Sequence, residues 1–148
     1  MKDALHAYLA DAIPLYGAMQ ATVSEADSGS VTLVAPLGPN TNHQSTAFGG
    51  SVASLATLAC WGWLWGLLRE AGIDARLVVA RSEIDYLKPV LTSLNAKCDA
   101  PGAAATRAFL DGLTRKGRAR IELEAVVTND TGMVCARFTG RFVASAVG

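Results

Sequence analysis

From residue 28 to residue 68 the chain carries no Asp, Glu, Lys or Arg. Within that window, Val52 to Leu68 holds only Ser54 and Thr57 as polar side chains, and Arg69-Glu70-Ala71-Gly72 closes the run. A helix over residues 51–71 would be about 31 Å long at roughly 1.5 Å per residue. Gly72 would stand just beyond its end and Arg69 in its last turn, where a cation is favoured. A helix apolar on every side belongs either to a protein core or to a membrane. The run lies at the short end of what a bilayer needs, although Gly62-x-x-x-Gly66 has the small-residue spacing of membrane helix contacts. The flanking segments decide between the two. Both are strand-like, and a lone span between strands of one sheet makes no foldable unit. The expectation is a buried core helix and no membrane.

The bulk numbers agree with one globular domain over residues 1–148. At 51% hydrophobic residues the chain can bury a sizeable core, which excludes disorder. Lys plus Arg equals Asp plus Glu, 13 each, so no global field steers nucleic acid or an anionic surface. The one basic cluster, Arg115-Lys116-Gly117-Arg118 with Arg120, reads as a solvated turn entering a strand or as a weak attraction for a phosphorylated ligand. It is too short for nucleic acid, which requires several phosphate contacts. Cys60, Cys98 and Cys135 are far apart in apolar contexts, and only His6 and His43 could join them. That pattern predicts three buried, reduced thiols in a cytoplasmic protein, with no metal or other cofactor. Asp3 and Pro14 argue against a secretory leader.

Periodicity predicts the remaining elements. Leu5, Tyr8, Leu9 and Ala12 share a face of a short helix ended by Pro14. Two brief strands follow between Gln20 and Ala35, and residues 37–42 form a loop. After the long helix, residues 76–90 form a strand with Val78, Ala80, Ile84 and Tyr86 on one face and Arg81, Glu83 and Asp85 on the other; Pro89 marks an edge. Residues 94–99 give another strand and residues 103–114 a short helix. Arg118 to Thr128 alternates strictly, Asn129-Asp130-Thr131-Gly132 turns, and Val134, Ala136, Phe138, Gly140 and Phe142 share the face of a last strand. The sum is an α+β fold: an antiparallel sheet of five to six strands wrapped round one long central helix. One sheet covers only one side of a helix, and Trp61, Trp63, Trp65 and Leu68 cannot all face it. The uncovered flank is therefore expected to meet a second subunit.

The stretch Asn42-His43-Gln44-Ser45-Thr46-Ala47-Phe48-Gly49-Gly50, then Ser54-Leu55-Ala56-Thr57, then Ile84-Asp85-Tyr86-Leu87-Lys88-Pro89-Val90, resembles the hotdog-fold acyl-CoA thioesterases. It is most similar to a thioesterase group with Thr-Ala-Phe-Gly-Gly-Ser and Ala-Thr-Leu-Ala before Trp-Gly, some of whose members are fused to an acetyltransferase domain. The resemblance covers residues 15–143. It implies a hotdog fold, a homodimer or dimer of dimers, and hydrolysis of an acyl-CoA or acyl-carrier-protein thioester.

The physics of such a site is straightforward. The thioester oxygen gains negative charge, and a helix N-terminus offers unpaired N–H groups at a positive dipole end. Gly49 and Gly50 allow close approach to that backbone, or simply close helix packing. The Gly50 N–H, or that of Ser51, is the expected oxyanion donor, with Phe48 beside it. Asn42 matches the family residue that holds the thioester or the attacking water; its alternative role is to cap the loop.

Two positions depart from the family. The helix acid usually found seven residues after the second glycine is Thr57, and the usual His before Gly-Gly is Phe48. Thr57 either positions water or bonds the backbone one turn back, since a hydroxyl without a base is a poor nucleophile. His43 is a candidate base, and Asp85 or Glu83 could reach a partner's pocket across paired edge strands. The missing helix carboxylate keeps a second function open, a non-catalytic acyl-thioester-binding module. A hydratase or dehydratase would need a His with a carboxylate, for which only His43 offers itself.

Overall fold

A computed structural model describes residues 1–147. In chain order they form helices α1 (Lys2–Ala12) and α2 (Pro14–Ala18), strands β1 (Thr22–Ala26) and β2 (Ser30–Ala35), and helix α3 (Gly49–Ala71). Strands β3 (Ala75–Tyr86) and β4 (Leu94–Asp99), helix α4 (Ala103–Lys116), and strands β5 (Arg118–Thr128) and β6 (Val134–Ala146) follow. The six strands make one antiparallel sheet in the order β1-β2-β4-β5-β6-β3, and the sheet wraps α3. This is the hotdog arrangement that the resemblance implies.

The apolar run makes α3 because nothing in it breaks a helix and Gly72 stops it. Gly72 adopts the left-handed conformation (φ 69°) and returns its N–H to Arg69. Leu55, Ala56, Ala59 and Leu64 are fully buried, and so are Val31, Leu33, Leu94 and Phe142 of the sheet. By length and composition α3 could cross a membrane, yet 61% of its most apolar window is buried inside the fold. Its dryness is that of a core.

Part of the flank of α3 that the sheet leaves open is covered from within the chain, while Ala53, Ser54 and Thr57 nearer its N-terminus stay partly exposed. Helix α1 lies across it: Leu5 sits on Gly62, where a Cβ would come within 3.1 Å of its Cδ2, and Met1 sits on Gly66. Tyr8 stacks on Trp61 with ring centroids 5.7 Å apart and lies 5.3 Å from Trp65. The two-glycine spacing is thus a seat for α1, because only residues without a side chain let a neighbouring helix come so close. Trp63 is buried and donates to Ser28 O at 3.0 Å. Pro14 does more than end α1; it occupies the first turn of α2, where its missing N–H costs nothing.

Strand β3 also departs from its predicted faces. A bulge between Val79 and Arg81 leaves Ala80 without a partner, and the alternation changes phase there. Ile84 and Tyr86 lie on the inner side as expected, opposite Phe138 and Ala136, but Leu77 takes the inner side before the bulge and Val78 faces outward, 58% exposed. As Pro89 suggested, β3 is an edge strand. The β5–β6 hairpin has the predicted faces up to Val127, with Ile121, Leu123, Ala125, Val127, Phe138 and Phe142 buried, but an irregularity beyond Val127 sets Val134 opposite Thr128 and takes it off the face it was expected to share with Ala136. The basic cluster forms the end of α4, where Arg115 and Lys116 meet the negative helix terminus and Gly117 (φ 72°) turns the chain into β5.

The three cysteines are free and buried. A hydrogen bond with Cys98, and burial after it, hold the Cys60 thiol well above its ordinary pKa, so it stays protonated. Tyr16 is 1% exposed and its hydroxyl lies 2.7 Å from His6 Nδ1. Burial pushes this phenol from 10.0 up to about 12. The fold favours the neutral form, so Tyr16 stabilises fully below pH 10.0 and loses that contribution as pH climbs through about 12. Urea unfolding of Tyr16→Phe should therefore fall less steeply than wild type across that window.

Candidate active site

The segment before α3 is tied down at both ends by asparagines. Asn40 is 2% exposed; its Nδ2 donates to Met19 O at 3.0 Å and Pro36 O at 2.8 Å, and its own carbonyl accepts the Phe48 N–H at 2.7 Å. Asn42 closes the loop on itself. Its Oδ1 accepts from the Gln44 N–H at 2.8 Å and the Thr46 N–H at 3.2 Å, and its Nδ2 donates to Thr46 Oγ1 at 2.7 Å. Both ends of the side-chain amide are engaged, the hydrogen bonding that a loop cap requires. The Ala47 N–H donates to Val90 O at 2.9 Å, fastening the loop to the chain beyond β3.

This anchoring delivers Phe48 in extended conformation as the residue capping α3 (φ −65°, ψ 132°), with no side chain closing the helix end. The Ser51 and Val52 N–H groups donate to Phe48 O at 2.9 and 3.1 Å. Ser51 is thereby spent as a backbone donor. The Gly49 and Gly50 N–H groups have no partner among the described residues. They stand at the positive end of a 23-residue helix, the standard provision for an anion or a polarised oxygen. The ring of Phe48 lies over Gly50, where a Cβ would run into its Cε2. Any side chain at 50 must push that exposed ring aside.

Beside this turn opens a cleft of about 230 Å³ lined by Ala47, Gly49, Val52, Tyr86, Leu87, Lys88, Pro89, Val90 and Cys135. None of these residues is acidic; Lys88 is the charge at its rim. Tyr86 closes one wall and donates its hydroxyl hydrogen to Gly49 O at 2.9 Å. Tyr86 and Leu87 of this lining are 56% and 53% exposed, which leaves apolar surface at the mouth of the cleft. A larger groove of about 560 Å³ runs between Trp63, Leu67, Pro101 and Leu110 at the far end of α3. Leu67 lies about 25 Å along the helix from Gly50 at roughly 1.5 Å per residue, so the two concavities are separate.

Phe48, Gly49, Gly50 and Ser51 form the first turn of α3, and Asn42 lies in the loop that leads into it. Thr57 is two turns into α3 and donates to Ala53 O at 2.8 Å, the back-bonded alternative. His43 is exposed on the loop. Asp85 stands opposite Arg137 on the outer face, away from the cleft of its own protomer. Among the described residues no group of three His, Cys, Asp or Glu side chains is placed to hold a metal. Tyr86, Lys88 and Asn40 were not among the site residues expected from sequence. Tyr86 reaches Gly49 across 37 residues, and only the strand end Tyr86-Leu87-Lys88-Pro89 hinted at it.

Residues 2–146 match the family described as "Putative thioesterase (yiiD_Cterm)". Among solved structures, a protein of unknown function from Chlorobaculum tepidum is 32% identical with a TM-score of 0.92, covering 97% of this chain and 93% of that one. A "putative thioesterase" from Shewanella oneidensis is 29% identical with a TM-score of 0.86, covering 97% and 96%. At 17% identity, a protein of unknown function from Pseudomonas aeruginosa, called a "probable thioesterase", superposes with a TM-score of 0.84 over 99% and 97% of the two chains. That last likeness bears on the fold alone.

Proposed function

The chain belongs to the thioesterase family that its residues 2–146 match, and from that membership we propose that it hydrolyses acyl thioesters of CoA or of an acyl-carrier protein. The observation that carries this reading is the pair of unpartnered N–H groups at Gly49 and Gly50, opening beside an apolar-rimmed cleft. The thioester carbonyl oxygen sits on the Gly50 N–H. Water adds to the carbonyl carbon and gives up a proton to His43, the imidazole of the neighbouring loop. The oxyanion gathers charge against the helix end, and its collapse breaks the C–S bond. The thiol departs with a proton and the carboxylic acid is left. Lys88, at the rim, faces the phosphate of the pantetheine arm. The reduced cysteines suit the cytoplasm.

A non-catalytic binding module is the second reading. One observation favours it: the Thr57 hydroxyl is committed to Ala53 O, and no acid lines the cleft. Thiol release from short, medium, long and aromatic acyl-CoAs distinguishes the two. Turnover of at least one class is expected, and Asn42→Ala should lower it tenfold or more by releasing the Gln44 and Thr46 N–H groups and loosening the loop. Tight binding without turnover anywhere in the panel would favour the module.

The same reading includes a homodimer, or a dimer of dimers, built on β3. This edge strand is 12 residues long, and Val78 and Val79 are 58% and 43% exposed. A long edge with unpaired N–H and C=O groups pairs readily with a second copy. Sedimentation at micromolar concentration should give a dimer or larger, and Val79→Asp should shift it toward monomer. A wild-type monomer would refute this part.

A further inference from the structure

The Tyr86 hydroxyl donates to Gly49 O at 2.9 Å. The carbonyl of Gly49 and the N–H of Gly50 belong to one planar peptide unit. A hydrogen bond accepted at one end of a peptide draws electron density toward the oxygen and makes the other end a stronger donor. It also fixes the plane of the unit, and hence the direction in which the N–H points. The Gly49 carbonyl also closes the first turn of α3, so the tyrosine hydroxyl is a second donor to the same oxygen, arriving from the strand side. The ring of Tyr86 packs at 3.4 Å from where a Gly49 Cβ would stand, so ring and hydroxyl together hold the peptide from the strand side.

We propose that Tyr86 is a positioning residue for the reaction: through the Gly49–Gly50 peptide it orients and polarises the N–H that receives the thioester oxygen. This rests on the assignment of the Gly50 N–H as oxyanion donor. Tyr86 itself need not touch the reacting atoms. If that donor contributes about 10²- to 10³-fold, and acceptance of the tyrosine hydrogen bond strengthens it by roughly 10–30% in free energy, the hydroxyl contributes about two- to eightfold in rate.

The test is Tyr86→Phe in the full chain, with three readouts. The value of kcat should fall about two- to eightfold while KM is unchanged, since the effect grows only as charge develops on the oxygen. The Gly50 amide proton resonance should move upfield in a 15N–1H spectrum, with amides around Gly62 unmoved. Tyrosine bearing one ring fluorine at position 86, a stronger donor, should move both quantities the other way. An unmoved Gly50 amide, or equal kcat for all three proteins, would overturn the role. The amide resonance needs no turnover, so absence of hydrolysis in wild type would count against the proposed function and leave this inference to be decided by the spectrum. A matched thermal melt of Tyr86→Phe excludes loss through misfolding.

Discussion

Replacing Gly50 by proline should lower kcat for thioester hydrolysis by about 10²- to 10³-fold relative to Gly50→Ala. The pair of variants isolates one atom. Both place a Cβ where the Phe48 ring now lies, against Cε2, and so both displace that exposed side chain. Both keep a residue compatible with the first turn of a helix, where proline is tolerated because no intrahelical acceptor awaits its N–H. Only proline deletes the donor. The Gly50 N–H has no partner among the described residues, so removing it takes no hydrogen bond from the fold. Stability should therefore differ little between the variants while rate differs greatly. Equal rates would move the oxyanion to the Gly49 N–H or away from this helix end.

Phe142→Ala should cost about 3–5 kcal/mol of stability, the range for an aromatic lost from a packed core. Phe142 is 0% exposed and pairs across the sheet with Ile121 and Val79. Its ring and that of Phe138 close over Gly140: a Cβ there would come 2.7 Å from Phe142 Cε1 and 2.9 Å from Phe138 Cε1. Removing the ring leaves a void that β6, paired on both sides, cannot collapse to fill. The melting temperature should fall by about 10 °C, at roughly 2–4 °C per kcal/mol for a chain of this length. Phe142→Leu, which keeps most of the volume, should cost less than about half as much. A shift of a degree or two for Phe142→Ala would mean that the sheet repacks more freely than its hydrogen bonding suggests.

The sequence patterns that proved readable are those in which a local period determines a buried face. Strict alternation in Arg118–Thr128 gave strand and inner face together, and the apolar run ending at Gly72 gave α3. Pairings distant along the chain were not readable. Nothing near Ala80 announces the bulge, since no glycine or proline stands there, and one unpaired residue turned Val78 outward. The α1 cover on α3 depends on Leu5 meeting Gly62 and Met1 meeting Gly66, contacts that no periodicity encodes. The candidate site divides the same way. Gly49 and Gly50 declare a helix N-terminus from their position alone, whereas the Tyr86 hydroxyl reaches Gly49 only through the fold. For Asn42 and Thr57 the sequence allowed a chemical and a structural role. Both side chains make the hydrogen bonds that the structural role requires.

The most direct measurement is a 15N–1H titration with a non-hydrolysable acyl-CoA analogue in which a ketone replaces the thioester. The Gly49 and Gly50 amides should shift downfield and saturate together, with smaller changes at Val52, Tyr86 and Lys88 around the cleft. Shifts centred instead on Trp63, Leu67 and Leu110, with the Gly49 and Gly50 amides unmoved, would place the ligand in the far groove and contradict the assignment of the α3 N-terminus as the thioester site.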